Sequence, residues 1–166
     1  QLNGAANPGT TGIPFVGELL GNFSRAYGAK VMAFPVPAFF DYATTRAALW
    51  RERSISAVRE AGRNADLAIF GVGAFSAPLA SHVYASGYLG NEDVMRLRRE
   101  GVVGDVCTVL VRSDGSYSDI EINSRASGAM DDKLRGFAFP DSFFNTPRLV
   151  LGIACKIVSL PFSTNS

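Results

Sequence analysis

Cysteine is almost missing from this chain: Cys107 and Cys155 are the only two among 166 residues. Two thiols cannot build a disulfide scaffold, and both lie in apolar, strand-like runs where a buried free thiol is the expected state. A reducing cytoplasm is the natural setting for such a chain. Histidine is scarcer still, with His82 alone. No Cys/His cluster exists to hold zinc, and no acid or nucleophile accompanies His82, which reads as a polar surface or capping residue. Net charge is also lacking. Sixteen Lys and Arg against fifteen Asp and Glu leave a formal +1, so the segment carries no basic footprint for gripping DNA by itself. No apolar run approaches the roughly 20 residues that cross a bilayer, and the chain opens on Gln1-Leu-Asn-Gly rather than on a Lys/Arg-led signal peptide. No Ser/His/Asp arrangement, P-loop or paired-carboxylate motif is present, nor any internal repeat or low-complexity tract.

What remains is globular in composition, 47% hydrophobic and 19% charged, and long enough for one domain with a substantial core. Gln1 to Gly4 reads as the end of a strand entering a loop with Pro8-Gly9 and Gly12. Phe15, Leu19, Leu20, Phe23 and Ala26 have helical spacing, and Gly28 ends that helix. Lys30 to Phe34 predicts a short strand stopped by Pro35-Val-Pro37. Thr44 or Thr45 can cap a helix to Trp50, and Ile55, Val58 and Ala61 mark another ending near Gly62. Asp66 to Gly71 has the continuous apolar look of a strand buried on both faces, with Gly71-Val-Gly73 at its carboxyl end. Asn91 caps a charged helix, Glu92 to Glu100, with Val94, Met95 and Leu97 inward; Arg96, Arg98 and Arg99 read as its solvated face.

Val102 to Val111 predicts the next strand. Ser113-Asp-Gly-Ser116 predicts a hairpin turn returning through Ile120 and Ile122. Asp131-Asp132 begin a short helix, and Leu149 to Ala154 forms one more parallel strand. This order implies a mostly parallel, Rossmann-like α/β sheet with flanking helices and a local antiparallel hairpin, spanning 1–154 as one domain, with 155–166 as an irregular tail.

Ligands of open α/β sheets sit beyond the carboxyl ends of the strands. Three such ends here are polar or glycine-rich: Asn3-Gly4, Gly71-Val72-Gly73, and Gly152 onward. Glycines let backbone N–H groups approach an anion, and phosphate suits such a rim best; turn geometry alone is the alternative for each. Gly71-x-Gly73 lacks the third glycine and immediate helix of a dinucleotide fingerprint. Asp105, at the head of a strand, either accepts hydrogen bonds from hydroxyls or caps a loop. Asn123 and Arg125 offer an amide and a planar guanidinium suited to hydroxyls and phosphate, with a surface ion pair as the other reading of Arg125. Lys156 is a candidate phosphate or Schiff-base lysine if it is not simply solvated. Phe39-Phe40-Asp-Tyr42 and Phe143-Phe144 serve either as core or as contact surface.

Taken in order, several segments resemble one family. They are Gln1-Leu-Asn-Gly4, Phe34-Pro-Val-Pro37-Ala, Ala65-Asp66 leading to Phe70-Gly-Val-Gly73, Ser86-Gly-Tyr88-Leu, Glu100-Gly-Val-Val-Gly-Asp-Val-Cys107 and Asn123-Ser-Arg-Ala-Ser-Gly128. This pattern is similar to the sugar-binding domain of SorC-type bacterial transcriptional regulators, loosely grouped with the deoxyribonucleoside-operon regulators. The resemblance implies a fold related to sugar-phosphate isomerases, a phosphorylated sugar or polyol as effector, homo-oligomers, no cofactor, no membrane and no catalysis. It places effector contacts at Asn3, Gly4, Gly71, Gly73, Gly101, Gly104, Asp105, Asn123, Arg125 and Lys156. The family's helix-turn-helix and first phosphate loop do not precede Gln1, so DNA is expected to be engaged only through a segment outside this sequence. Gly152-Ile-Ala-Cys-Lys156 is a degraded echo of the family's Gly-x-x-Lys segment, and the α/β units that follow it in the family are missing. Two other classes stay open. A sugar-phosphate isomerase would need Asp105 and His82 as its acid and base, and a pure oligomerisation module would carry a vestigial pocket.

Overall fold

Local signals place most helices where the sequence predicts them. The computed structural model describes residues 1–4, 13–65, 67–75, 82–85, 87–128 and 150–155. Helix α1 (Ile13–Tyr27) ends at Gly28, whose φ of +60° is left-handed and open to glycine at little cost. Its apolar stripe stays partly in solvent, with Leu19 45% and Phe23 43% exposed. Helices α2 (Ala43–Leu49) and α3 (Arg53–Arg63) follow. They close over Phe34, Val36, Phe40 and Ile55, against which Trp50 packs. Arg46 and Arg59 lie over the Trp50 ring at 5.0 and 5.1 Å, favourable cation–π geometry. Phe39 and Phe40 are buried, so they serve the core, while Tyr42 is exposed.

Strands β1 (Leu67–Ala74), β2 (Val102–Val106), β3 (Val109–Arg112) and β4 (Val150–Cys155) form one sheet ordered β3-β2-β1-β4. Every pairing in it is antiparallel. The expected mostly parallel sheet is therefore not found among the described residues, and 1–4 and 30–34 form no strand. Two local events explain the difference. Helices α4 (His82–Ala85) and α5 (Asn91–Arg99) return the chain to β1 in the opposite direction. The apolar run 102–111 then breaks at Cys107-Thr108 and folds back on itself, pairing Val106 with Val109. Val150–Cys155 likewise runs antiparallel to β1, Leu67 opposite Cys155, and carries regular strand as far as Cys155.

Strand β1 alternates rather than burying both faces. Phe70, Val72 and Ala74 are buried, whereas Ile69 is 46% exposed. A period of two with one covered face is the mark of an antiparallel strand. The return through Ile120 and Ile122 also differs from expectation: it is a 3₁₀ helix, Glu121–Arg125. Arg112 holds the intervening loop, donating to both carboxylate oxygens of Asp119 at 2.7 and 3.0 Å and to the Glu100 carbonyl at 2.7 Å. In α5, Leu97 is fully buried but Met95 is 57% exposed, so Met95 faces outward, contrary to expectation. The predicted helix at Asp131-Asp132, the pair Phe143-Phe144, Lys156 and the tail lie outside the described residues.

Gly101 follows α5 at φ +77°, and its N–H donates to the Arg98 carbonyl at 3.2 Å. A Cβ there would meet only the Arg112 Cδ at 3.9 Å, so the cost of a side chain is conformational rather than steric. Gly101→Ala should destabilise by about 1 kcal/mol, a fall of roughly 2–4 °C in the thermal midpoint. An unchanged midpoint would show that the left-handed turn is not needed.

Candidate functional site

Successive strand residues point to opposite faces, and antiparallel partners share a face. Gly73 pairs with Asp105, and Asp105 with Leu110. Gly71, Gly73 and Asp105 thus lie on one face of the sheet. Phe70 and Val72 take the other, where they pack with Val106 and Val111. On the Asp105 face, Leu110 belongs to the large core cluster with Phe39, Leu97, Ile120 and Ile122, against which Phe75 and Tyr84 pack. A Cβ at Gly71 would meet nothing within 4 Å, and Gly73 adds no side chain beside the carboxylate. The two glycines add no side chain to the strip of sheet that runs up to Asp105.

The polar side chains buried among the described residues are Asp105, Thr108 and Ser127; hydrogen bonds link Asp105 to Thr108 and Thr108 to Gly128, the residue after Ser127. Asp105 Oδ2 accepts from the Thr108 N–H at 3.3 Å. Thr108 Oγ1 accepts from the Gly128 N–H at 3.1 Å. Next in the chain, Ser127 Oγ accepts from the Gly4 N–H at 2.8 Å and donates to the Ala38 carbonyl at 2.9 Å. Four distant segments meet at this point. Asp105 acts as a loop cap here, one of the two roles open to it from sequence.

The turn it caps is unusual. Cys107 and Thr108 both have positive φ, 50° and 70°, as a two-residue hairpin of type I′ requires and as Asn-Gly usually supplies. A β-branched residue in that region is an outlier, and the left-handed form costs on the order of 1–2 kcal/mol per residue. The bonds from Asp105 and Gly128 offset that cost, and such strain collects at functional sites. Burial, with the Asp105 charge adding to it, pushes the Cys107 thiol up to about 12, so it is no ready nucleophile. The Tyr84 phenol is raised by burial first and by Asp105 second. Its hydroxyl is buried and has no hydrogen-bond partner among the described residues.

The other predicted contacts are placed as follows. Gly4 is buried and Asn3 half-buried, with Asn3 Nδ2 donating to the Gly4 carbonyl at 3.2 Å. Gly104 is paired inside β2 with Ala74 and Val111. Gly101 is in the turn between α5 and β2, beside Arg112 at the end of β3. Asn123 is committed to the edge of the sheet: its Oδ1 accepts from the Leu110 N–H at 2.8 Å, and its Nδ2 donates to the Leu110 and Tyr117 carbonyls at 2.9 Å each. Arg125 Nη1 donates to the Phe40 carbonyl at 3.3 Å. His82 opens α4. Sequence reasoning missed Thr108, Tyr84 and the buried hydroxyl of Ser127. Only the last left a signal, inside the segment Asn123-Ser-Arg-Ala-Ser-Gly128.

Residues 1–137 match a family model described as "Putative sugar-binding domain". The chain belongs to that sugar-binding domain family. It is 27% identical over 118 residues to the deoxyribonucleoside regulator of Bacillus subtilis, covering 71% of this chain and 37% of that protein. It is 28% identical over 134 residues to the transcriptional regulator LsrR of Klebsiella pneumoniae, covering 80% and 39% respectively. A solved domain of "a possible sugar-binding transcriptional regulator" from Arthrobacter aurescens is 46% identical with a TM-score of 0.69, over 78% of this chain and 48% of that one. This sugar-binding domain therefore spans less than half the length of each of these relatives. Among the described residues, no helix is long and apolar enough to cross a membrane and no cluster of three or more His, Cys, Asp or Glu could hold a metal.

Proposed function

We propose that this sugar-binding domain senses a phosphorylated sugar or polyol within a bacterial, cytoplasmic transcriptional regulator and catalyses nothing. The observation that carries the reading is the convergence of the buried polar residues Asp105, Thr108 and Ser127 beside the side-chain-free strip at Gly71 and Gly73. A carboxylate at the end of such a strip can accept the hydrogens of sugar hydroxyls, and burial strengthens each bond. Arg125, two residues before Ser127, is the cation assigned to the phosphate, whose charge of nearly two needs local compensation in a near-neutral chain. Lys156 is a second candidate for that charge. Names of the relatives, all regulators, support a sensor over an isomerase. Effector would favour one conformation of a homo-oligomer and so shift the geometry of DNA-binding segments carried elsewhere in the protein.

A thermal-shift screen tests this. Ribose 5-phosphate, glucose 6-phosphate and sorbitol 6-phosphate would be compared with ribose, glucose and sorbitol. A ligand at a hundred times its dissociation constant stabilises by about 2.7 kcal/mol, roughly 5–10 °C for a domain of this size. At least one phosphorylated compound should produce such a rise and its unphosphorylated parent should not. No rise with any of them overturns the reading.

A further inference from the structure

The Tyr84 hydroxyl is the buried group that the hydrogen-bonded chain around Asp105 leaves unused. Its ring is fixed in place, stacked on Phe75 with centroids 4.1 Å apart and planes 26° apart. Phe75 is itself tied to β2, its N–H donating to the Val103 carbonyl at 3.1 Å, two residues from Asp105. Phe75 and Tyr84 both pack against the cluster holding Leu110, the cross-strand partner of Asp105. Burial first, and the Asp105 charge after it, raise the phenol, and its hydroxyl makes no hydrogen bond to that carboxylate or to any other described group. A buried donor left in this state is costly unless something else completes it.

We infer that Tyr84 is a specificity-determining residue of the effector site, its hydroxyl and the Asp105 carboxylate together grasping one hydroxyl of the ligand. The assignment rests on the sugar-effector reading above and deepens it. A ligand hydroxyl is both donor and acceptor. It accepts from the Tyr84 O–H and donates to Asp105, which satisfies the phenol and adds a charge-assisted bond to the carboxylate. A phosphate group next to Asp105 would meet like charge. The Tyr84–Asp105 end thus takes the neutral, polyhydroxylated part of the effector, and the phosphate lies at the other end of the molecule. Removing a hydroxyl from the ligand, or the phenol oxygen from the protein, breaks the same bridge.

Tyr84→Phe keeps the ring stack and deletes only the oxygen. Calorimetric titration of the full chain with ribose 5-phosphate, glucose 6-phosphate and sorbitol 6-phosphate, with inorganic phosphate as control, reads the effect. For each compound that binds the wild type, affinity should fall about tenfold, the scale of one buried hydrogen bond. Inorganic phosphate binding should not change, and the ligand-free thermal midpoint should stay level or rise, because an unpartnered buried group is lost. Unchanged affinity for the sugar phosphates overturns the role of Tyr84 and leaves the effector reading standing. A ligand-free midpoint lowered by several degrees, with affinity unchanged, assigns the hydroxyl to the fold and also overturns it. If no sugar phosphate binds the wild type, the effector reading falls and this inference falls with it.

Discussion

Gly128→Ala is expected to be among the most damaging single methyl groups in the described fold. A Cβ at that position would stand 1.8 Å from the Cys107 carbonyl oxygen, 2.8 Å from Thr108 Oγ1 and 2.9 Å from the Cys107 carbonyl carbon. Two of those three atoms are backbone, held in a turn that is already left-handed at both residues. Neither side can yield without breaking the Gly128–Thr108 bond or the hairpin itself. Overpacking of this kind costs at least about 3 kcal/mol, roughly 6–12 °C in the midpoint for a chain of this length. Gly71→Ala is the control. Its Cβ meets nothing within 4 Å, so stability should change by no more than about 0.5 kcal/mol. Thermal unfolding of the two variants side by side checks both, and equal midpoints would mean that the segment at 127–128 does not dock on the β2–β3 turn.

Asn123→Ala should come second. In a two-residue hairpin the pair flanking the turn, Val106 and Val109, exchanges hydrogen bonds, so the next pair, Asp105 and Leu110, does not. Leu110 therefore turns its N–H and C=O away from β2, toward the edge of the sheet, where among the described residues no further strand follows β3. The Asn123 amide meets both groups and takes the place of that strand. Leu110 is fully buried, so truncation leaves two backbone groups without partners, at about 1–3 kcal/mol each. A loss of about 2–4 kcal/mol is expected, seen as a midpoint lower by roughly 5–15 °C. A variant of unchanged stability would release the amide from this structural duty and return it to the effector.

The two experiments mark where the sequence could be read and where it could not. The ends of α1 and α3 and the existence of a strand from about residue 67 follow from periodicity and punctuation by glycine. The break at Cys107-Thr108 could not be foreseen. Neither residue favours a left-handed turn, and the bonds that compensate come from Asp105 and, twenty residues on, from Gly128. A hydrophobic run of ten residues reads equally as one long strand or two short ones, and tertiary contacts decided for two. Helical spacing alone points Met95 inward, but spacing does not say how much of a helix its neighbours cover, and Met95 is 57% exposed.

The sequence by itself determined the class of molecule. The ordered motifs between Gln1 and Gly128 point to the sugar-binding domain family, to which the chain belongs. Strand direction, and the company Asp105 keeps, were decided only by the tertiary structure. The run Leu67–Ala74 is apolar throughout, so its composition does not show that one face alone is covered or in which direction its partners run. The segments that gather beside the buried carboxylate lie far apart in the chain: Gly128 meets Thr108 across 20 residues and Ser127 meets Gly4 across 123. Tyr84 gains its unpartnered hydroxyl through packing on Phe75 and the Leu110 cluster, contacts that no local pattern of residues encodes.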